Sequence, residues 1–598
     1  MAESALDNSS KEWQSHRHIA GKEPTRIKLI GKPPIKKTIV PVIYIPGIFG
    51  SRLENPGGDV SYVWDPDDTG ALISNYARDS SSITGGLSSA ITSGYWSDVD
   101  IGKKVTQLHG SAEVMAGHDD KAKKETITHI KRSVTFFRLK TNLERNNAAC
   151  GGACHLPDDT QLAEQEYERR ANRGWFGVWN SYYPLLEQIN EMNDPEFFYP
   201  VFAFGYDWRF DLDKAADKLV TKINDVLAIQ DYPDYGVHGK DYDKIHSKVI
   251  IITHSQGSLV ARYAIKKLGA EGQVQAVVHL DQPTTGAPVL YHRFITGTSP
   301  ERSLSSLAGL TDNVFDEILG GTPYHFTRMA APLTGALSLL PTNDYVAQAG
   351  ENKNQWLRSN EPHLKFDKPI TDVYDDVYLS EKWGLINCKR YDAAGQPKPY
   401  QEKEFDIVEY FDESWPEDSG VRIVRVPRHT FGDGPLPAGA TILPAPADNP
   451  YRRDNQRLRP HAGMDRVTRK KARDYWSEFT KSITTAKTFH ADLGLAQHND
   501  THVVRARGVK TFTQVTMRLS ANGELECPLI RTEEGDGTVP LTSQEALLAG
   551  NAKPAGAVIQ GGKHADICTH PVAMQQVKTL ITGTFVTTLR KQPQAKQA

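Results

Sequence analysis

The chain has few cysteines and no long apolar run. Only 5 of its 598 residues are cysteine, and a sparse, odd set argues against the disulfide framework of a small secreted domain. Mean hydropathy is −0.49, and a stretch of about 18 apolar residues, the length a membrane-spanning helix needs, is missing. Residues 1–24 also lack the apolar segment of a secretory signal peptide. We therefore expect synthesis in the cytoplasm without a cleavable signal.

A strong excess of one charge is also missing. The net charge is −3, so the whole-protein field does not favour nucleic acid or an anionic membrane. Residues 451–473 are rich in arginine and lysine. We interpret this stretch as a solvated helix, and a binding site for anionic lipid headgroups is the alternative. No nucleic-acid-binding motif accompanies it, and no nucleic-acid partner is expected.

A strand, a sharp turn and a helix are indicated over residues 248–268. Residues 249–252 form a β-branched run typical of a buried strand, and helix-compatible residues follow the turn. Ser255 lies at the turn, in the setting of a nucleophile elbow. The usual pattern is G-x-S-x-G, and here Thr253 occupies its first position. The sequence predicts Ser255 as a nucleophile, and an ordinary connection with a surface serine is the alternative.

A serine nucleophile needs a base and an orienting carboxylate, and the C-terminal part of the chain offers both. Asp536 lies between two glycines after a predicted strand at 526–530, and His564 follows another apolar run. Their order after the serine is that of α/β-hydrolases, so we predict Asp536 as the acid and His564 as the base. His570 is the competing base. His254 is interpreted as a packed histidine whose side chain points away from the nucleophile.

Two main-chain N–H groups are expected to form an oxyanion hole. One belongs to Gln256, the residue after the nucleophile. The segment 42–50 reads as a strand that ends at Pro46, followed by a glycine-bounded loop. From this loop we predict the N–H of Ile48 as the second donor, with Phe49 as the alternative. A plain strand–turn connection is the other interpretation of this segment.

Two small clusters contain metal-binding residue types. The acidic cluster at residues 65–68 offers carboxylate oxygens, which Ca²⁺ prefers, but its spacing is not that of an EF-hand. We expect a turn there, with calcium as the alternative. Cys150, Cys154 and His155 are interpreted as part of a surface loop, with a small disulfide loop or weak metal binding as alternatives. The serine chemistry itself requires no cofactor.

Four motifs, in this order along the chain, resemble those of lecithin:cholesterol acyltransferase-like lipases. They are residues 41–54, the Y-D-W-R segment within 204–209, residues 336–345 and the G-D-G-T-V loop at 535–539. The resemblance implies hydrolysis or transfer of fatty-acyl esters of phospholipids. By position it implies Ser255, Asp536 and His564 as the catalytic triad and Ile48 and Gln256 as oxyanion donors. Thr253 in the elbow departs from the family pattern, as do the long insertions.

A narrower resemblance is to bacterial type VI secretion phospholipase effectors, on the basis of length, lipase motifs and the missing signal peptide. Some of these effectors are similar both to the acyltransferase family and to GPI-inositol deacylases. The resemblance implies secretion and action in the periplasm or at the membranes of a target cell. It also implies a phospholipid membrane surface, a cognate immunity protein and a component of the secretion apparatus as partners.

The sequence therefore predicts an α/β-hydrolase fold, with a mostly parallel sheet, helices on both faces and a large inserted cap or lid. A flexible arm at 1–40 precedes the first part of the core at 41–290, which contains an insertion at about 55–195. The cap is predicted at 291–530, because a βα unit takes only about 30 residues or a little more. Residues 531–598 complete the core and carry the acid and the base.

The predicted activity is that of a lipolytic serine esterase. Acyl transfer to an alcohol is one alternative, since it uses the same residues. A non-catalytic binding protein on a hydrolase scaffold is an alternative of another class, because fold does not fix function. A peptidase is a further one.

Overall fold

The computed structural model describes about half of the chain in detail. The described residues are 37–56, 62–68, 110–116, 120–132, 140–141, 158–192, 194, 196–229, 242–296, 329–330, 332–342, 344–346, 481–519 and 529–586, with short strands elsewhere. Within these residues no helix is both long and apolar enough to cross a membrane. Predictions for residues 1–36, for the Cys150–Cys154 pair and for the basic stretch 451–473 lie outside them.

A six-stranded parallel sheet forms the centre of the molecule. Its strands are β1 (Val42–Ile45), β2 (Val201–Ala203), β3 (Val249–His254), β4 (Val274–Leu280), β5 (Thr501–Val504) and β6 (Lys553–Pro554). The spatial order is β2-β1-β3-β4-β5-β6, and every neighbouring pair is parallel. The predicted parallel sheet is therefore confirmed.

Three short strands extend this sheet on the side where its strands begin. Lys37–Ile39 pairs in parallel with Phe197–Phe198 and with Tyr242–Ile245, and these strands directly precede β1, β2 and β3 in the chain. The predicted flexible arm at 1–40 is wrong for residues 37–39. Pairing with two strands that are distant in sequence orders these residues.

Both faces of the sheet are covered by helices. Ile250 and Ile252 of β3 face one apolar cluster and Ile251 faces the other, as the two-residue period of a strand requires. On the first face pack α1 (Tyr183–Asn190) and α4 (Pro571–Thr579), and on the second pack α2 (Leu212–Leu227) and α3 (Gly257–Lys266). The α/β character of the prediction is confirmed.

The insertion at about 55–195 contributes both strands and helices. Leu53–Glu54 pairs antiparallel with Tyr62–Trp64 and with Glu113–Val114. The helices Asp120–Arg132 and Asp159–Asn172 pack against each other. Asp158 caps the second helix by accepting hydrogen bonds from the main-chain N–H groups of its first turn, which agrees with the helix predicted at 158–172.

The predicted cap at 291–530 differs from the structure at its C-terminal end. β5 (Thr501–Val504) lies inside that range, yet it pairs with β4 in the central sheet. Residues 481–493 are helical, and Phe489 and Leu493 belong to the same apolar cluster as α3. A strand of four residues carries little signal of its own, and its place is fixed by pairing with a distant strand. The boundary at residue 530 is therefore wrong.

A second, smaller sheet follows β5. Thr511–Leu519 pairs antiparallel with Leu525–Glu526 and Leu529–Thr532 and in parallel with Leu357–Ser359. Between residues 347 and 480 the description is otherwise confined to short strands, which are Leu364–Phe366, Cys388–Arg390, Phe405–Tyr410, Arg422–Pro427 and Thr441–Ile442. These form antiparallel pairs.

We predict that Gly257→Ala destabilises the fold strongly. A Cβ at Gly257 would lie 2.7 Å from the carbonyl oxygen of Ile45 and even closer to that of Pro46. Neither main-chain atom can move without displacing β1, and overpacking of this kind costs about 1–3 kcal/mol or more. Urea unfolding followed by circular dichroism measures the change. Gly272→Ala is the control, because a Cβ there meets open space. Equal midpoints for the two variants would contradict the prediction.

Candidate active site

The turn between β3 and α3 holds Ser255 in a left-handed conformation. Its φ is 49°, a region that costs a non-glycine residue about 1–3 kcal/mol and clusters at functional sites. The Ser255 N–H donates to the carbonyl of Leu280 at 3.0 Å, and the Ser255 carbonyl accepts from Ser258 at 3.0 Å. These bonds tie the turn to β4 and to α3. The strand, turn and helix predicted at 248–268 are present.

The structure brings the three predicted residues of the triad into one hydrogen-bonded line. His564 Nε2 lies 2.9 Å from Ser255 Oγ, and His564 Nδ1 lies 2.8 Å from Asp536 Oδ2. With the Nδ1–H donating to the carboxylate, Nε2 is left to accept the proton of the serine hydroxyl. His570 is not in this line. It caps α4, where its Nδ1 accepts from the N–H of Val572 at 3.3 Å.

The loop around Asp536 fixes the carboxylate from three sides. Oδ1 accepts from the main-chain N–H groups of Thr538 and Val539 at 2.8 and 2.7 Å. Oδ2 also accepts from the side-chain amide of Gln544 at 3.2 Å. The main-chain N–H of His564 donates to the carbonyl of Asp536 at 2.9 Å. The acid and the base are therefore joined through both main chain and side chain.

The loop after β1 passes directly over Ser255. A Cβ at Gly47 would lie 2.8 Å from Ser255 Cβ and 3.3 Å from Ser255 Oγ, and the first of these distances is too short for any side chain, so glycine allows this approach. The main-chain N–H groups of Ile48 and Gln256 form no hydrogen bond with any described residue. They are thus available to a ligand at Ser255, as an oxyanion hole requires.

Aromatic packing holds this loop in shape. Phe49 has a φ of 64°, and its ring centroid lies 5.1 Å from that of Trp64 and 4.5 Å from that of Trp208. The indole N–H of Trp64 donates to the carbonyl of Phe49 at 2.9 Å. A main chain held in a left-handed conformation by three packed rings is rigid, which suits donors that must be preorganised.

The side chain of Gln256 connects segments that are distant in the sequence. Its Oε1 accepts from the hydroxyl of Tyr206 at 3.0 Å, and its Nε2 donates to the carbonyl of Gly335 at 2.7 Å. The carbonyl of Pro46 also lies 3.2 Å from the Tyr206 hydroxyl, so the single proton of this hydroxyl is shared between the two acceptors. The motifs at 41–54 and 204–209 thus meet at the elbow, together with the residue that precedes the motif at 336–345.

The acidic turn at residues 65–68 pairs with an arginine that directly follows the loop after β1. The guanidinium of Arg52 pairs with Asp65 at 3.1 Å and also with Asp67. Asp67 further accepts from the main-chain N–H of Asn180 at 3.0 Å. Arg52 and Asp65 are buried. The cluster forms the predicted turn, and two of its carboxylates pair with an arginine.

His254 is packed, as predicted, but its ring lies beside the base instead of pointing away from the site. Its Nε2 donates to the carbonyl of His564 at 3.0 Å, and the two rings are 4.8 Å apart. Burial and the neighbouring His564 hold the pKa of His254 well below its ordinary value. His254 is therefore a neutral donor that fixes the main chain of His564.

One buried residue of the site was missed by the sequence analysis. Asp281 lies at the end of β4, and its carboxyl, that of Asp536 and the ring of His564 have ligand atoms within 4.8 Å of one another. The signal that could have found it is its place at the carboxyl end of a core strand, where parallel sheets carry their sites. A metal ion does not suit this cluster, because both ring nitrogens of His564 already have partners.

Comparison with known proteins gives a structural similarity only. No protein-family model matches the chain, and no curated protein matches it. A solved structure described as the crystal structure of the Tle4–Tli4 complex is similar, with a TM-score of 0.50 and 17% sequence identity. The match covers 92% of this chain and 99% of that chain. At this identity the similarity shows the fold alone.

We predict that acid destabilises the protein through buried neutral histidines. Burial lowers the pKa of His279 to about 3 and that of His490 to about 4. Because the unfolded residues titrate near 6.5, the unfolded chain binds more protons below that pH. Each histidine therefore removes about 1.4 kcal/mol of stability per pH unit as the pH falls from about 6.5 towards its folded-state pKa.

Urea unfolding at pH 7 and pH 5 tests this prediction with His279→Gln. The variant should lose less stability between the two pH values than the wild type. Thr253→Val is the matched control, because it removes the hydroxyl that lies 2.7 Å from His279 Nδ1 and keeps the histidine. An unchanged pH dependence in His279→Gln would show that this histidine does not contribute.

Proposed function

We propose that this protein is an α/β-hydrolase that cleaves fatty-acyl esters of glycerophospholipids through an acyl-enzyme. The observation that carries the proposal is the hydrogen-bonded line from Ser255 through His564 to Asp536, with distances of 2.9 and 2.8 Å. It begins at the carboxyl end of a central parallel strand and faces a rigid loop with available N–H donors. Nucleophile, base, orienting acid and oxyanion donors are the parts that acyl transfer needs.

In the acylation step, Ser255 Oγ attacks the acyl carbonyl while His564 Nε2 takes its proton. Asp536 keeps the Nδ1–H tautomer in place and stabilises the imidazolium that forms. The negative charge on the carbonyl oxygen is received by the N–H groups of Ile48 and Gln256. His564 then gives its proton to the departing lysophospholipid oxygen, which leaves an acyl-Ser255 ester.

In the second step, water attacks the acyl-enzyme and His564 again acts as the base. The tetrahedral intermediate collapses, the fatty acid leaves and Ser255 regains its proton. Each proton moves between His564 and an oxygen, so these steps require no cofactor.

The lipid substrate is supported by sequence and by fold. Two of the motifs that resemble lecithin:cholesterol acyltransferase-like lipases, at 41–54 and 204–209, meet at the elbow, where the hydroxyl of Tyr206 contacts the carbonyl of Pro46 and the side chain of Gln256. The similar fold of Tle4, solved as the Tle4–Tli4 complex, is consistent with the resemblance to type VI secretion phospholipase effectors. We therefore propose an antibacterial effector that acts on the membrane lipids of a target cell and has a cognate immunity protein as partner.

Ser255→Ala should abolish fatty-acid release from mixed phospholipid vesicles. Loss of the nucleophile is expected to lower the rate by roughly 10⁴- to 10⁶-fold. Mass spectrometry of the surviving lysophospholipid identifies the position that is attacked. Ser258→Ala is the matched control, because this buried hydroxyl in the same turn has no hydrogen-bond partner among the described residues.

The outcomes separate the classes of function. Release by the wild type and by Ser258→Ala, but not by Ser255→Ala, supports the serine phospholipase. No release by any of them, with or without calcium, would refute the lipolytic proposal and favour a binding protein.

Acyl transfer is the second candidate, because the resemblance is to an acyltransferase family and an alcohol can replace water in the second step. We predict that added ethanol yields a minor share of fatty-acid ethyl ester, with free fatty acid as the main product. Product ratios measured by mass spectrometry at several ethanol concentrations test this. A dominant ester at low ethanol would identify the protein as a transferase.

A further inference from the structure

Asp281 occupies a position next to the nucleophile strand. It lies at the end of β4, beside the end of β3 that carries Ser255. Its φ is 47°, so it shares with Ser255 a conformation that is strained for a residue with a side chain. The Asp281 N–H donates to the carbonyl of Val504 at 3.2 Å. The Asp281 carboxyl lies in the site, where its oxygen, an oxygen of Asp536 and a ring nitrogen of His564 are within 4.8 Å of one another.

The carboxyl of Asp281 is buried and poorly solvated. The residue has 0% exposure, and within the described part of the chain no group donates a hydrogen bond to either of its oxygens. The titratable groups that face it are Asp536, His564 and Cys568. None of these three groups carries a positive charge that could compensate an ionised Asp281 while the ring of His564 is neutral. An ionised carboxylate in this position would be strongly disfavoured.

Asp536 has the opposite environment, although it lies beside Asp281. Its carboxylate accepts four hydrogen bonds. Two come from the main-chain N–H groups of Thr538 and Val539, and two come from the side chains of Gln544 and His564. Hydrogen bonds of this kind favour the charged form of a carboxyl group. In a pair of adjacent carboxyl groups, a shared proton is favoured on the group that lacks such hydrogen bonds, which here is Asp281. In agreement, burial and the Asp536 carboxylate raise the pKa of Asp281 well above its ordinary value.

We propose that Asp281 is a second acid of this centre, a positioning residue that stays protonated beside Asp536 and replaces it as the partner of His564 when Asp536 is lost. The proposal rests on the proposed serine-esterase function. Without Asp536, the proton of Asp281 passes to solvent, and the resulting carboxylate accepts the Nδ1–H of His564. The charge of the acid pair remains −1 before and after the exchange, so the imidazolium is stabilised in both cases.

A double-mutant cycle tests the replacement. The turnover of a soluble p-nitrophenyl ester is measured for the wild type, Asp281→Asn, Asp536→Ala and the double variant, with kcat and KM separated. Asp281→Asn should lower kcat at least tenfold more in the Asp536→Ala background than in the wild type, while KM changes little. In Asp536→Ala, but not in the double variant, the acid limb of the pH profile of kcat should follow the ionisation of Asp281.

Thr284→Val is the matched control, since Thr284 is buried in the same loop and has no carboxyl. Its effect should be equal in the wild type and in Asp536→Ala. If Asp536→Ala does not fold, Asp536→Ser takes its place in the cycle. Equal kcat for the Asp536 variant and the double variant would overturn the proposal.

A stability measurement tests the protonated state independently of activity. A carboxyl that keeps its proton when folded, and loses it near pH 4 when unfolded, makes the wild type less stable as the pH rises above about 4. Asp281→Asn has no such carboxyl and does not lose stability in this way. The free energy of unfolding of the variant, measured in urea, should therefore increase relative to that of the wild type as the pH rises. A difference in the free energy of unfolding between the variant and the wild type that is independent of pH would contradict a protonated Asp281. If even the wild type shows no Ser255-dependent hydrolysis, the proposed function fails, while this measurement still decides the state of Asp281.

Discussion

The contact of Gly257 with the carbonyl groups of Ile45 and Pro46 is the constraint on which the site depends. It lets α3 begin directly against the end of β1, closer than any side chain would permit. In the short turn that results, Ser255 has a left-handed conformation, and the N–H of Gln256 has no hydrogen-bond partner in the part of the chain that the structure describes. Close packing therefore stores local strain where an exposed hydroxyl and an available donor are needed.

Around this turn, distant segments are joined by buried hydrogen bonds. Gln256 links Tyr206 to Gly335, and Arg52 holds the acidic turn against the loop after β1. Every one of these bonds satisfies a buried polar group, so that removing one partner leaves another unpaired. The loop above Ser255 is thus fixed by aromatic packing and by charge pairing, which is the preorganisation that the proposed acyl transfer requires.

Charge is distributed unevenly at the carboxyl ends of the strands. Asp536 is surrounded by donors, whereas Asp281 is buried beside it without any among the described residues. His254 is kept neutral by burial and by its histidine neighbour. In the proposed arrangement the base therefore faces one carboxylate that accepts several hydrogen bonds, that of Asp536, and two groups held neutral, Asp281 and His254. An imidazolium formed during the proposed reaction would have a single, well-oriented counter-charge.

The sequence by itself determined the local elements and the residue types of the site. β-branched runs predicted β3, the succession of strand, turn and helix predicted the elbow at Ser255, and the chain order predicted Asp536 and His564. Tertiary structure alone decided the position of β5, because a strand of four residues, Thr501–Val504, is specified by the neighbour with which it pairs. It also decided the roles of Asp281 and His254. Their burial, their neighbours and hence their protonation arise from contacts between segments that are far apart in the chain.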